Sequence, residues 1–252
     1  MSGAPRREGS TSPHTPLGRR VYDSMWVLCR AITLACFGIR ARFAEPVPPT
    51  GGLIVLSTHQ SHLDPVLLGV SCTRRLSSLA RDSLFRFRPL GWLITALDAV
   101  PIDRDAPGVA ALKAIIARLR AGAAVIIFPE GTRTATGRPA RLKNGFVILA
   151  RRSAVPILPV AIVGAWECWP RSQLLPRPGR VRVEFGRLIT PAEITSLDDE
   201  ALLATCTARL EELDTRGRAA LAGPARSPRR ELRHRVRTAA RAGDRSTVTG
   251  PA

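Results

Sequence analysis

The sequence predicts one α/β domain with appendages, and three observations carry this. Apolar runs at Leu53–Ser57, 123–128 and 156–163 read as buried strands. Between the first two, Gly108–Arg120 places Val109, Leu112, Ile115, Ile116 and Leu119 at helical spacing. Strands alternating with helices imply stacked layers around a sheet, and 252 residues suffice to bury one substantial core.

The elements follow in order. Residues 1–20 form a basic N-terminus without periodicity and read as disordered. Residues 21–44 hold an apolar helical segment. Its stretch 25–39 is shorter than the roughly 20 apolar residues of a membrane-spanning helix, and Arg30 falls inside it. Flanked by Arg19, Arg20, Arg40 and Arg42, it reads as a membrane-interfacial helix; packing against the core is the alternative. No cleavable signal pattern is recognisable. Pro46, Pro48, Pro49, Gly51 and Gly52 mark a linker into the domain at 50–222. Asp64-Pro65 reads as a helix start with Asp64 as cap. Short strands are expected near 77–80 and at 99–102, with an apolar-facing segment at 84–97 between them. Gly122 should end the 108–120 helix. A helix at 145–153, an edge-like alternating strand at 180–185 and a helix from Asp198 to about 221 complete the domain. Residues 223–252 form an Arg-rich tail, read as disordered or as a basic helix against anionic lipid.

Charge narrows the partners. The formal net charge is +18, and residues 223–252 hold eight Arg against Glu231 and Asp244. Such an excess suits nucleic acid, an anionic membrane or a phosphorylated substrate. Aromatics are only 5%, too few for base-stacking platforms, so no specific nucleic acid is expected. Five scattered cysteines form no Cys-x-x-Cys and no metal-ligand spacing; they point to a reducing compartment, no metal site, and packing roles for Cys29 and Cys36.

Two motifs carry chemistry. Thr58-His59-Gln60-Ser61-His62-Leu63-Asp64 follows the first apolar run, and Phe128-Pro129-Glu130-Gly131-Thr132-Arg133 follows the run at 123–128. A carboxylate beside an imidazole fixes its tautomer and stabilises the imidazolium, which makes a competent general base near neutral pH. Together with Val100-Pro101-Ile102-Asp103-Arg104 and Val155-Pro156-Ile157-Leu158-Pro159-Val160, these stretches resemble the four motifs of the glycerolipid acyltransferases, in the family's order. These are the 1-acylglycerol-3-phosphate O-acyltransferases and their relatives. The resemblance covers roughly residues 50–190, and it departs from the usual pattern at Thr58, where the family usually has Asn.

That resemblance implies a mixed central sheet flanked by helices and transfer of a fatty acyl chain to a lyso-lipid hydroxyl. The donor would be acyl-CoA or acyl carrier protein, with no cofactor. The default acceptor is 1-acylglycerol-3-phosphate, giving phosphatidic acid in phospholipid biosynthesis; another lyso-lipid or glycolipid acceptor is the alternative. A non-catalytic basic protein binding lipid or nucleic acid is the alternative of a different class. The membrane surface would be met from the cytoplasmic face, peripherally or monotopically, through anionic lipid.

His59 is the base the family alignment indicates, with Asp64 its orienting partner; His62 is the rival imidazole. Ser61 reads as a loop hydrogen-bonding residue. Arg104 and Arg133 suit phosphate because a guanidinium fork matches its oxygens. Gly131 permits close backbone approach, and Thr132 and Lys143 are further contacts. Two roles are open to Glu130: a ligand to the acceptor glycerol, or a partner that fixes Arg133 or a loop amide.

Overall fold

The computed structural model describes residues 16–81, 91, 99–102 and 108–223. Seven strands occur among them: β1 (Arg40–Phe43), β2 (Leu53–Ser57), β3 (Ser78–Arg81), β4 (Ala99–Ile102), β5 (Ala124–Ile127), β6 (Ile157–Val163) and β7 (Arg182–Phe185). Five form a mixed sheet in the order β1-β7-β6-β2-β5, and β3 pairs with β4. Only the β6–β7 pairing is antiparallel within the five-stranded sheet. Ser77, just before β3, bridges to Val125 and so ties the smaller sheet to β5.

Every residue of β2 and β6 is buried, which is why both read as unbroken apolar runs: strands covered on two faces have no solvent side. Alternation still sorts their side chains. Leu53 and Val55 join one core layer with Leu67, Leu158 and Phe185. Ile54 and Leu56 join the other with Leu119, Phe146, Ile157 and Leu202.

The helices Gly108–Arg120 and Gly145–Ser153 occur where the sequence places them. Gly122 takes φ +90 after the first of these, and Asp198 accepts from the Ala201 amide at 2.7 Å to start the last helix, Asp199–Ala222. A short helix, Pro191–Ser196, is additional to the expectation. Its start is written in Thr190 and Glu193, which bond each other's backbone amides as a capping box.

Four expectations are corrected. The strand at 180–185 is interior rather than edge-like, because β1 pairs along its outer side and its Val183, Glu184 and Phe185 are buried. Asp64 does not cap its helix: Asp64–Ser71 starts on it, and its carboxylate turns back to His59, Gln60 and Ser61. The N-terminal helix runs Pro16–Cys36, and residues 40–43 belong to the sheet. The helix ends at Cys36, after which Ile39-Arg40-Ala41-Arg42-Phe43 alternates apolar and basic with the period of a strand. On that helix Cys36 is exposed and Cys29 half-buried, so the pair does not share a packed face.

The N-terminal helix is fastened to the domain. Trp26 Nε1 donates to the Gly69 carbonyl at 2.8 Å and Arg30 Nη1 to the Val70 carbonyl at 2.6 Å. Both acceptors lie in the last turn of Asp64–Ser71, where carbonyls lack helical partners and a cation is favoured. Val27, Leu28 and Ile32, off that contact, and Leu34, which lines a cleft with Trp26 and Arg30, are each at least half exposed. No helix among the described residues is long and apolar enough to cross a membrane. The expected segment at 84–97 (Gly91 apart), Asp103-Arg104 and residues 1–15 and 224–252 lie outside the described residues.

Candidate active site

β2 and β5 are parallel neighbours, so their C-terminal ends emerge on the same edge of the sheet. That topology brings residues 58–64 and 128–133 together, although some 70 residues separate them in sequence.

His59 Nδ1 meets Asp64 Oδ2 at 2.7 Å. The same oxygen accepts the Gln60 and Ser61 amides at 2.6 and 2.8 Å, while Oδ1 is buried with no hydrogen-bond partner. Asp64 is fully buried, and burial pushes its carboxyl up; the bond and charge of His59 and the two amides oppose that. The His59 ring stacks on Phe128 with centroids 4.0 Å apart. With Nδ1 engaged by Asp64, Nε2 is the nitrogen left to take a proton.

Glu130 is also buried. Its Oε1 accepts the His59 amide at 2.9 Å and its Oε2 the Ala140 amide at 3.2 Å. Of the two roles open to it, the loop-amide partner matches these contacts. Burial drives its carboxyl up to about 7, against the pull of both amides. His59 O in turn accepts the Thr134 amide at 2.8 Å.

Arg133 Nη1 is buried without a hydrogen-bond partner. Burial lowers the guanidinium's affinity for its proton, the nearby Arg171 lowers it further, and Asp64 opposes both. The guanidinium thus keeps an unfilled donor, the kind of group that pairs with an anion. Gly131 takes φ +72, a backbone conformation that L side chains rarely adopt, so the loop needs glycine there. Thr132 and Lys143 are exposed at the same loop. Arg104 lies outside the described residues.

His62 is exposed, its ring 5.1 Å from that of Trp169, and Asp64 makes its hydrogen bond to His59 instead. Burial, then Arg133 and His59, lower the His62 pKa, with Asp64 opposing. Ser61 Oγ donates to the Trp169 carbonyl at 2.8 Å and accepts the Leu63 amide, the loop role expected of it. Thr58, the departure from the family pattern, is buried; its hydroxyl accepts the Ile162 amide at 3.0 Å and ties the motif to β6. Among the described residues no group of three or more His, Cys, Asp or Glu is placed to hold a metal ion.

Sequence reasoning missed Arg171 and a brace around Gly137. The Gly137 carbonyl accepts from Gln60 Nε2 at 2.9 Å and from Arg218, which is itself paired to buried Asp214 at 2.7 Å. Arg218 is 81 residues from Gly137. No local spacing announces such a partner.

The chain belongs to the acyltransferase family, whose model matches residues 38–163. It is 30% identical over 177 residues to the 1-acyl-sn-glycerol-3-phosphate acyltransferase of Bacillus subtilis, an alignment spanning 69% of this chain and 85% of the relative. A Pseudomonas aeruginosa enzyme of the same name is 32% identical over 62% of this chain and 61% of its own length. In fold the chain resembles the 1-acyl-sn-glycerophosphate acyltransferase PlsC of Thermotoga maritima. The TM-score is 0.68 at 24% identity, over 77% of this chain and 78% of the other.

Proposed function

We propose that this acyltransferase moves a fatty acyl chain from acyl-CoA or acyl carrier protein to the free hydroxyl of 1-acylglycerol-3-phosphate, giving phosphatidic acid. The observation that carries the reading is the His59–Asp64 pair at 2.7 Å beside an unpartnered Arg133 guanidinium nitrogen. A base for the hydroxyl and an anion site for the phosphate are the two parts this reaction needs.

In the proposed mechanism His59 Nε2 removes the acceptor hydroxyl proton as the oxygen attacks the thioester carbonyl. The new C–O bond forms, the C–S bond breaks on collapse, and the departing thiolate takes the proton from the imidazolium. Asp64 stabilises that imidazolium and holds its tautomer; a positioned base contributes about 10² to 10⁴-fold. Arg133, with Arg171 beside it, holds the phosphate so that the hydroxyl faces His59. Arg104 is proposed as a further phosphate contact on the family resemblance. Thr132 and Lys143 line the approach, and Glu130 secures the His59 backbone rather than binding glycerol.

The substrate is amphipathic, and the exposed Val27, Leu28, Ile32 and Leu34 supply an apolar face for peripheral attachment to a lipid surface. We place that attachment on the cytoplasmic face, with the Arg-rich residues 223–252 attracted to anionic lipid. The test offers purified protein a panel of lyso-lipids with labelled acyl-CoA and acyl carrier protein. Phosphatidic acid formed by the unaltered chain and not by His59→Ala supports the reading. A different product reassigns the acceptor, and undiminished turnover in His59→Ala removes the mechanism.

A further inference from the structure

We propose that residues 169–179 form a second lipid-contacting element, whose tip Leu174-Leu175 inserts into an anionic membrane surface beside the active site. The two leucines are 88% and 73% exposed, the most exposed large apolar side chains among the described residues. Single exposed leucines are ordinary; an adjacent pair held at a loop tip is an apolar probe.

The loop is built to hold that tip outward. Pro170 is buried at its base, the Gln173 amide donates to the Pro170 carbonyl at 3.1 Å, and Trp169 Nε1 donates to the Gln173 carbonyl at 3.0 Å. On the return side the Arg177 amide donates to the Cys168 carbonyl at 2.7 Å. The turn is thus closed across its neck, and both leucines lie beyond the closure.

Both ends of the loop lead to elements already described. At its start, the Trp169 carbonyl accepts Ser61 Oγ and the Trp169 ring lies against His62, so the loop adjoins the catalytic motif. At its finish, Gly179 bridges to Phe37, and its carbonyl accepts the Gly38 amide at 2.8 Å. Phe37 directly follows the helix that exposes Val27, Leu28, Ile32 and Leu34. The two apolar elements are therefore joined at one edge of the sheet. Exposed Arg171 and Arg177 flank the tip, a charge pattern that favours anionic headgroups over a neutral protein surface. Seating the tip in lipid would hold the catalytic motif where an acceptor with a buried acyl chain presents its headgroup, a consequence that rests on the acyltransferase reading.

The experiment compares the full chain with L174S/L175S on vesicles of phosphatidylcholine mixed with phosphatidylglycerol. Flotation should weaken by roughly tenfold to a hundredfold, from the apolar area withdrawn from lipid. Transfer to a vesicle-embedded acceptor should fall in step, while transfer to a short-chain acceptor dissolved below its critical concentration stays at the parent rate, which also reports an intact fold. In Leu174→Trp, the added emission should be quenched by brominated phospholipid. Parent-like flotation by L174S/L175S overturns the proposal, and so does added Trp emission that brominated lipid leaves unquenched. If no chain forms product, the acyltransferase reading fails, yet flotation and quenching still decide the loop.

Discussion

Glu130 Oε1 accepts the His59 amide at 2.9 Å, so the carboxylate of one motif fixes the backbone that carries the imidazole of the other. Its second oxygen does the same for Ala140, within the loop that leads to Lys143 and the Gly145–Ser153 helix. One buried side chain thereby holds the geometry between the ends of two parallel strands.

That arrangement gives a pH signature. Burial raises the Glu130 carboxyl from 4.5 to about 7, so between those values the native state keeps a proton that the unfolded chain releases. The stability this group supplies is full below the lower value and is lost as pH rises through the upper one. Its size is at most about 3 kcal/mol, from the width of the shift. Glu130→Gln removes the titration, and the unfolding free energy should then lose its downward slope across this window. Gln offers one acceptor to two amides, so kcat/KM should also fall by the worth of an unmet hydrogen bond, about 1–3 kcal/mol. Denaturant titrations at a series of pH values check the first claim; an unchanged slope contradicts it.

His59→Ala should abolish transfer, and Asp64→Asn should lower kcat by roughly 10² to 10⁴-fold with the fold retained. In Asp64→Asn the amide oxygen can still accept from Gln60 and Ser61, but no carboxylate remains to stabilise a charged imidazole. His62→Ala should leave most activity, because Asp64 bonds to His59. Single-turnover assays on the three variants separate the two imidazoles; loss confined to His62→Ala would reverse the assignment.

The helix at 108–120 was legible from its period and the buried strands from their unbroken apolar runs, each within a short stretch. The site was legible in part for the same reason: both motifs begin where a buried strand ends, and parallel strands deliver their ends to one edge. What escaped was everything fixed by distant pairing. β1 is a strand because Arg40 lies opposite Arg182, and Phe37 opposite Gly179. That same partnership turned the expected edge at 180–185 into interior. Asp64 read as a cap because Asp-Pro has that signature locally, yet three donors upstream hold its carboxylate. Arg171 follows a Trp-Pro pair with no motif of its own, and only the folded chain brings it near Arg133.

Arg133→Ala should raise the acceptor KM far more than it changes donor hydrolysis. A charged partner lost from a desolvated site costs about 2–5 kcal/mol. Arg171→Ala should act in the same direction and less strongly, since its side chain is exposed. Arg133→Lys should not restore affinity, because a point charge lacks the planar fork. Initial rates against acceptors with and without the phosphate provide the check. Equal losses on both would place Arg133 outside phosphate recognition.

The N-terminal helix holds both a structural and a lipid-facing role, and substitutions can part them. Trp26 and Arg30 bond the last turn of Asp64–Ser71, so Trp26→Ala should lower stability by about 1–3 kcal/mol, for a half-buried aromatic lost with its hydrogen bond. Val27, Leu28, Ile32 and Leu34 are each at least half exposed. Changing all four to Ser should leave stability nearly untouched and release the protein from vesicles, since a short amphipathic helix contributes to membrane affinity through its buried apolar area. Removing residues 224–252 should weaken flotation chiefly on anionic vesicles at low salt, at about 1 kcal/mol for each arginine near the surface. Deleting through residue 44 is the wrong test, because it also removes β1 and the buried Phe37. Flotation at two salt concentrations, beside a melting curve, reads each variant. A fourfold Ser variant that floats as well as the parent would assign the exposed face to something other than lipid.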